Sequence, residues 1–334
     1  FDKVNKAGGI KGRFVKFIIE DTEGDPTKAV MKVKKLIEVE KVVALIGPTR
    51  TGTGMAVRPF IEKAQVPTFM HVGGDPILFP MKKGDPTSLP RWVFKSPYKT
   101  VDALGRILKY MKKKKMTKIG FLHSSDGFGR FGLKEAQTST PKYGIDLITI
   151  EAFNLADTDM TTQLTKMRAK NPQAIIAWTI GPPMGIIAKN VKRLGMKTPL
   201  FECHGAADPI FFKLAGDAAD GVMMPSTKIV VANQLSRFDR QRKRIQGFIR
   251  EYETRFKKTP GTMVAYGVDA ADIVLEALKK AGPDRAKIRN EIEKIKFVGI
   301  SGIYKMSPTD HNGLDIKDIV MVRAEKGRFV LLKD

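Results

Sequence analysis

Short, continuously apolar segments alternate with longer segments of helical periodicity along nearly the whole sequence. Segments such as VVALIG (42–47) and AIIAW (174–178) have no polar position that would face water, which is typical of strands in a parallel sheet covered by helices on both faces. Between such strands lie helical patterns such as 25–40, where Asp25 is placed to cap the helix and Pro26 takes its first position. The alternation runs through two series and predicts two α/β lobes.

The pattern also predicts three elements with defined bounds. RFVKFIIED (13–21) has the composition of a strand. Two long helices are predicted over residues 235–258 and 264–281, where apolar residues recur at helical spacing.

The 334 residues carry a formal net charge of +24, from 59 basic and 35 acidic residues. So large an excess predicts an acidic partner, such as nucleic acid, anionic lipid or an acidic protein face. The densest basic segments are 109–118 and 237–258. In the second, apolar residues share one helical face and cations the other, which favours the solvated face of a packed helix over a helix that reads DNA. No aromatic-interleaved basic motif is present, so we expect no nucleic-acid partner. The apolar segments also fall far short of the about 20 residues that span a bilayer, so no transmembrane segment is expected.

Residues that carry catalysis or bind metals are few. The single cysteine, Cys203, excludes an internal disulfide and a cysteine-based metal site. No two of the four histidines, His71, His123, His204 and His311, have the spacing of a shared metal site. The nucleophile-elbow and P-loop motifs are both missing from the sequence. We therefore predict a protein that is not an enzyme and has no metal and no cofactor.

One segment matches a dinucleotide-binding pattern, because HSSDGFGRFG (123–132) contains G-x-G-x-x-G. In a dinucleotide fold the first glycine directly follows a strand, and the next helix directs its N–H groups at the pyrophosphate. Here three residues separate the strand from the glycines, and Asp126 would place a negative charge at the phosphates. Glu151 does lie at the distance of the ribose-binding acid. The pattern favours a tight turn, or a turn that presents Phe128 to a ligand, over an NAD-dependent oxidoreductase.

Several segments, taken in order, resemble the branched-chain amino-acid-binding proteins of ABC transporters, which have the type I periplasmic binding fold. NKAGGIKGRFVKFIIEDTEGDPTKAV resembles the family's first helix end, second strand and second helix. VVALIGPTRTGTGMAVRPFIEKAQVP is similar to its I-G-P-x-x-S-G stretch, and GFLHSSDGFGRFG to the strand and Y-G-x-G turn that open its second lobe. DTDMTTQLTKMRAKNPQAIIAW and AYGVDAADIVLEAL complete the series. The likeness covers nearly all of the chain and implies a ligand-facing turn at the glycines.

The resemblance implies a two-lobed α/β fold, in which each lobe is a mostly parallel sheet flanked by helices and three crossovers form the hinge. It places lobe 1 at residues 1–97 plus 229–298 and lobe 2 at residues 98–228 plus 299–334, with crossovers near residues 97, 228 and 299. A first strand is expected to precede Phe1.

The resemblance also implies a function. It predicts a monomeric receptor, periplasmic or lipid-anchored on the outer face of the cytoplasmic membrane. Such a receptor closes on a small carboxylate and passes it to an ABC transporter permease. A ligand sensor or regulator of the same fold, which binds a small amide or acid, is the alternative.

In this family the first lobe holds the ligand carboxylate through backbone N–H and hydroxyl groups at a helix N-terminus. The matching residue is Thr51, and Arg50 beside it either adds a cation or faces solvent. The next strand end, HVGGD, is expected to supply His71, Gly73 and Gly74. The family usually has a hydroxyl residue where Gly74 stands, so one donor is missing.

The remaining expected ligand-binding residues are Phe128, Ile180, His204 and Val268. His204 stands where amino-acid-binding members have an acid for the ligand ammonium, and the other three stand at positions that are often aromatic. A pocket without that acid implies a carboxylate that lacks an α-amine, such as an aromatic or aliphatic acid. If the alignment shifts by a residue or two, Glu202 or Asp208 serves the ammonium, and the ligand is a branched-chain or related amino acid.

Overall fold

Two units make up the chain, and each is built around its own sheet. The computed structural model describes residues 1–333. Unit 1 consists of residues 1–97, 267–297 and 304–313, and unit 2 consists of residues 98–266, 298–303 and the residues from 314 onward.

The regular elements follow the alternation that the sequence predicts. The strands are β1 Leu45–Ile46, β2 Thr68–Met70, β3 Val93–Lys95, β4 Lys118–Ser124, β5 Asp146–Phe153, β6 Ala174–Trp178, β7 Leu200–Glu202, β8 Met223–Ser226, β9 Lys296–Val298, β10 Ile303–Lys305, β11 Val320–Glu325 and β12 Arg328–Leu331. The helices are α1 Asp2–Lys6, α2 Pro26–Lys34, α3 Thr51–Ala64, α4 Thr100–Lys113, α5 Gly127–Ser139, α6 Thr161–Ala169, α7 Pro182–Arg193, α8 Ile210–Ala215, α9 Arg242–Phe256, α10 Thr262–Ala281 and α11 Arg285–Ile292.

Unit 1 contains a three-stranded parallel sheet in the order β1-β2-β3. Helix α2 begins as its sequence predicts, because the Asp25 side chain accepts a hydrogen bond from the backbone N–H of Lys28 and Pro26 takes the first helical position. Helix α3 packs its buried face, including Val57 and Ile61, into the core of this unit. Both helices therefore cover the sheet whose strand ends carry the expected carboxylate-binding residues.

The predicted strand over 13–21 is wrong. The segment forms no strand beyond an isolated bridge between Arg13 and Ile10, and Phe14 and Ile19 are 76% and 78% exposed. A strand needs a backbone partner, and within residues 1–333 no strand pairs with this segment. A cavity of about 360 Å³ lies beside it, lined by residues 15–20 and 40–46 among others.

Unit 2 contains a seven-stranded sheet in the order β12-β11-β8-β7-β6-β4-β5. Its strands from β4 to β8 are parallel, and β11 is antiparallel to both β8 and β12. One face of the sheet, with Phe121, Ile176 and Phe201, packs against apolar residues of α4 such as Leu104 and Leu108. The parallel strands bring the carboxyl ends of β4, β6 and β7 to one edge of the sheet.

The units and the predicted lobes both divide the chain at residue 97. They differ over residues 304–313, which pack with unit 1, and over residues 229–266, which pack with unit 2. Gln234 donates from Nε2 to the carbonyl of Phe329 and accepts from the N–H of Leu331, which ties this segment to β12. The predicted helix over 235–258 begins only at Arg242, because residues 236–242 form turns in which the N–H of Asp239 donates to the carbonyl of Ser236 and that of Arg242 to the carbonyl of Asp239. The three hinge crossovers stay a prediction. Within residues 1–333 no helix combines the length and apolarity that a membrane span requires.

Candidate functional site

The carboxyl-end edge of the unit 1 sheet brings together residues from two consecutive strand–helix connections. Helix α3 begins at Thr51, directly after the loop that follows β1, and Gly73 and Gly74 lie in the turn after β2. The backbone N–H of Gly74 donates to Oγ1 of Thr51 over 3.3 Å, and Thr51 is only 5% exposed. The hydroxyl accepts this bond and keeps its own proton for donation. With the first N–H groups of α3, it forms a set of donors suited to a carboxylate.

The presence of a glycine at position 74 has a steric explanation in this structure. A Cβ at this position would lie 2.7 Å from Oγ1 and 2.8 Å from Cγ2 of Thr51. The Thr51 side chain therefore occupies the space that a side chain at position 74 would take. The hydroxyl that the family usually has at position 74 is absent, and the hydroxyl of Thr51 lies beside that position instead.

A buried ion pair fixes the turn after β2. Nζ of Lys95 lies 3.2 Å from Oδ1 of Asp75, and their side chains are 0% and 9% exposed. The same Nζ donates to the carbonyl of Pro97 over 2.9 Å. Because Asp75 directly follows Gly74, this pair anchors the Gly73–Gly74 turn to the end of β3. This pair could not be predicted from the residue types, because a lysine in a strand is usually exposed.

Two other expected residues of unit 1 lie near this edge. The pKa of His71 is lowered to about 4 by desolvation, although part of its surface is exposed, and its Nδ1 lies 3.3 Å from Oγ of Ser96. His71 is therefore a neutral imidazole at neutral pH. The Arg50 side chain passes Gly24, where a Cβ would lie 2.8 Å from Nε of the guanidinium. Arg50 thus packs on the backbone of a neighbouring loop. A further expected residue of this unit, Val268, is half-buried in α10.

In unit 2, the glycine motif opens helix α5. The carboxylate of Asp126 caps this helix by accepting from the N–H of Gly129 over 2.9 Å and from Oγ of Ser124 over 2.7 Å. An N–H group that a pyrophosphate would need is therefore already bonded to an anion. A Cβ at Gly129 would overlap the carbonyl of Ser124, and a Cβ at Gly132 would overlap the indole of Trp178. These glycines permit close packing of α5 on the strand ends.

Phe128 and His204 meet in an aromatic cluster at the strand ends of unit 2. The ring centroids of Phe128 and His204 are 6.0 Å apart, and that of Trp178 lies 5.8 Å from each. Phe121 extends the cluster, at 6.2 Å from Trp178. Ile180 packs against the same apolar core. The structure thus brings three of the expected residues, Phe128, Ile180 and His204, into one neighbourhood of this unit.

A model of one protein family matches residues 1–328, and its description is "periplasmic binding protein". The chain belongs to the periplasmic binding protein family. The family prediction and the two-lobed α/β fold class with mostly parallel sheets are thereby confirmed. Membership also makes the chain a solute-binding receptor with an extracytoplasmic location.

Individual relatives support the same assignment. This periplasmic binding protein is 20% identical over 324 residues to the leucine-, isoleucine-, valine-, threonine- and alanine-binding protein of Pseudomonas aeruginosa, and the match covers 95% of this chain and 79% of that protein. An extracellular ligand-binding receptor from Rhodopseudomonas palustris HaA2 is 27% identical, with a TM-score of 0.90 and coverage of 97% and 91%. An R. palustris ABC transporter solute-binding protein in complex with benzoate has the same fold, with a TM-score of 0.84, 20% identity and coverage of 98% and 87%.

Glu202 lies at the end of β7, two residues before His204. It is fully buried, neither carboxyl oxygen has a hydrogen-bond partner among residues 1–333, and burial raises its pKa well above the ordinary value. A carboxyl group in this state is protonated and does not offer a negative charge to an ammonium. Asp208, the other alternative, is half-buried and accepts from the N–H of Ile210 at the start of α8.

Two polar groups at the end of β6 were not predicted from the sequence. Nε1 of Trp178 and Oγ1 of Thr179 are buried, and neither has a hydrogen-bond partner in the part of the chain that the structure describes. Only their place in the sequence could have indicated a role in binding. Trp178 ends an apolar strand at the carboxyl edge of a parallel sheet, and Thr179 follows it. Together with His204 they place polar groups within an apolar and aromatic surrounding.

Proposed function

We propose that this periplasmic binding protein captures a small carboxylate without an α-amine, of the aromatic or aliphatic kind, for an ABC transporter permease. The observation that carries the proposal is the set of side chains at the carboxyl end of β7. His204 lies there in an aromatic cluster, and the nearest carboxyl in the sequence, Glu202, is kept protonated by burial. An α-ammonium group would meet no negative charge from either residue.

The carboxylate end of the ligand is assigned to unit 1. Thr51 and the first N–H groups of α3 are donors without a formal charge, and charge-assisted hydrogen bonds from such groups are short and strong. The turn that carries Gly73 and Gly74 is held by the Lys95–Asp75 pair, so these donors are positioned before the ligand arrives. Arg50, His71 and Val268 remain proposed ligand contacts.

The aromatic surrounding in unit 2 favours a ring over a branched aliphatic side chain. Phe128 and Trp178 are buried and pack against each other with ring centroids 5.8 Å apart, and a ligand ring in contact with Phe128 would extend this arrangement of attracting rings. The benzoate complex of the R. palustris protein supports this class of ligand. We infer that binding rather than catalysis is the activity of the chain, which acts as a monomer in the periplasm or tethered to the outer face of the cytoplasmic membrane.

A branched-chain amino acid is the second candidate, because the P. aeruginosa relative is named for such ligands. The two candidates differ by one ammonium group. They are separated by comparing isoleucine with its amine-free analogue 3-methylpentanoic acid, which keeps the same side chain.

Thermal unfolding tests the proposal. Benzoate at about 100 times its Kd is expected to stabilise the protein by about 2.7 kcal/mol, a rise of several degrees in Tm. Isoleucine and NAD at the same concentration are expected to leave Tm unchanged. A rise with NAD alone would overturn the receptor assignment, and a rise with isoleucine but not with benzoate would overturn the choice of ligand class.

A further inference from the structure

A dense group of cations lies at the start of helix α9. Five basic residues fall within the segment 237–244, which we call the basic segment: Arg237, Arg240, Arg242, Lys243 and Arg244. Arg237, Arg240, Lys243 and Arg244 are exposed. The one acid of the segment, Asp239, lies 2.8 Å from Nζ of Lys228 and is thereby already matched by a cation.

These cations lie at the start of α9, the end of the helix at which its dipole disfavours positive charge. The N-terminus of a helix carries a positive partial charge, so cations there destabilise it, each by about 0.3–1 kcal/mol when exposed. The first turn of α9 contains no acid that would compensate. By contrast, Lys112 and Lys113 lie in the last turn of α4, where cations are favourable. The fold accounts for the lysines of α4 and does not account for the basic segment.

Phe238 adds an apolar anchor to this charged surface. It is 79% exposed, and the guanidinium of Arg237 lies 4.7 Å from its ring centroid. An exposed phenylalanine among cations matches the composition of surfaces that lie in the interfacial region of a membrane, where the ring enters the headgroup layer and the cations contact anionic lipids.

We propose that the basic segment docks this protein on an anionic lipid surface. Lipid is favoured over nucleic acid because the receptor is extracytoplasmic and because the exposed ring of Phe238 suits the apolar side of a headgroup layer. Each arginine or lysine near such a surface contributes about 1 kcal/mol of attraction, and Phe238 adds apolar burial. The docking is independent of ligand capture, so the failure of one leaves the other standing.

Vesicle sedimentation tests the proposal with two matched pairs of variants. Wild type is expected to bind vesicles of phosphatidylglycerol and phosphatidylcholine, and to bind pure phosphatidylcholine vesicles at least about tenfold more weakly. Arg240→Gln with Lys243→Gln is expected to weaken binding about tenfold or more. Lys112→Gln with Lys113→Gln removes the same charge from the exposed end of α4 and is expected to change binding by less than about twofold.

The second pair compares Phe238→Ser with Phe14→Ser, which removes an equally exposed ring from unit 1. Only Phe238→Ser is expected to weaken binding, by about fivefold. Cooperative thermal unfolding establishes that all four variants are folded, and the Arg240→Gln, Lys243→Gln variant is expected to unfold at a slightly higher Tm than wild type. Three results would overturn the proposal: no binding of wild type to the anionic vesicles, equal losses in the two charge variants, or an unchanged affinity in Phe238→Ser, which would indicate a soluble polyanion as the partner.

Discussion

Replacing Gly74 by alanine tests the assignment of the carboxylate-binding edge with one added methyl group. The backbone at Gly74 has φ of −75° and ψ of 136°, which any residue adopts without strain. The effect of the substitution is therefore steric. The new Cβ would lie 2.7 Å from Oγ1 and 2.8 Å from Cγ2 of Thr51, so the Thr51 side chain has to rotate or shift.

The magnitude follows from the bond that the ligand loses. A hydrogen-bonding group left without its partner costs about 1–3 kcal/mol, whereas the rotamer cost of moving Thr51 falls on the free protein and lowers its stability. Any movement that clears the methyl group also moves the hydroxyl away from its place beside the α3 N-terminus. We therefore expect benzoate to bind about 5- to 150-fold more weakly to Gly74→Ala, which corresponds to about 1–3 kcal/mol.

The assay is isothermal titration calorimetry, with Gly247→Ala as the matched control. Gly247 lies within helix α9, outside the strand–helix connections assigned to the ligand, and a Cβ there would meet no atom within 4 Å. The control is expected to bind benzoate as wild type does and to be slightly more stable, because alanine favours a helix more than glycine does. If Gly74→Ala binds benzoate with the wild-type affinity, the hydroxyl of Thr51 does not contact the ligand.

Three further predictions concern the strand ends of both units. His204→Glu restores an acid at the β7 end and is expected to favour isoleucine over 3-methylpentanoic acid in competition binding; unchanged affinities for both would remove His204 from the site. The pKa of Glu202 is raised by burial, so wild type loses stability as the pH rises above 4.5, the ordinary value, and Glu202→Gln does not. The Tm of this variant relative to wild type is therefore expected to rise between pH 4.5 and pH 8, and a constant difference would contradict the buried, protonated state. Lys95→Met leaves Asp75 buried without its cation and is expected to cost about 3–5 kcal/mol in denaturant unfolding. Adding Asp75→Asn should restore much of that loss, and strictly additive losses would show that the two residues are not coupled.

The parts of the fold that the sequence predicts well are those in which local chemistry and burial agree. The apolar segment 174–178 forms the buried strand β6, and Asp25 caps α2 beside Pro26. The strand predicted over 13–21 failed because composition favours an extended backbone, whereas a strand also needs a neighbour to bond to. The late start of α9 reflects the turns that residues 236–242 form, which the helical spacing of apolar residues does not reveal.

The candidate site was predictable in position but only partly in chemistry. Resemblance placed Thr51 and His204 at strand or helix ends, where parallel sheets bind ligands. The resemblance does not reveal the steric clash that a Cβ at position 74 would have with Thr51. It also does not reveal the buried ion pair of Lys95 and Asp75. Both depend on distances between separate loops. The protonated state of Glu202 also depends on complete burial, which a single residue letter does not reveal.

The central claim is that the ligand is a carboxylate without an α-amine, and calorimetric titration of wild type with isoleucine and with benzoate tests it most directly. The account predicts that benzoate binds with a Kd in the micromolar range, about −8 kcal/mol, and that isoleucine at millimolar concentration gives no binding heat. Micromolar binding of isoleucine, with benzoate silent, would contradict it.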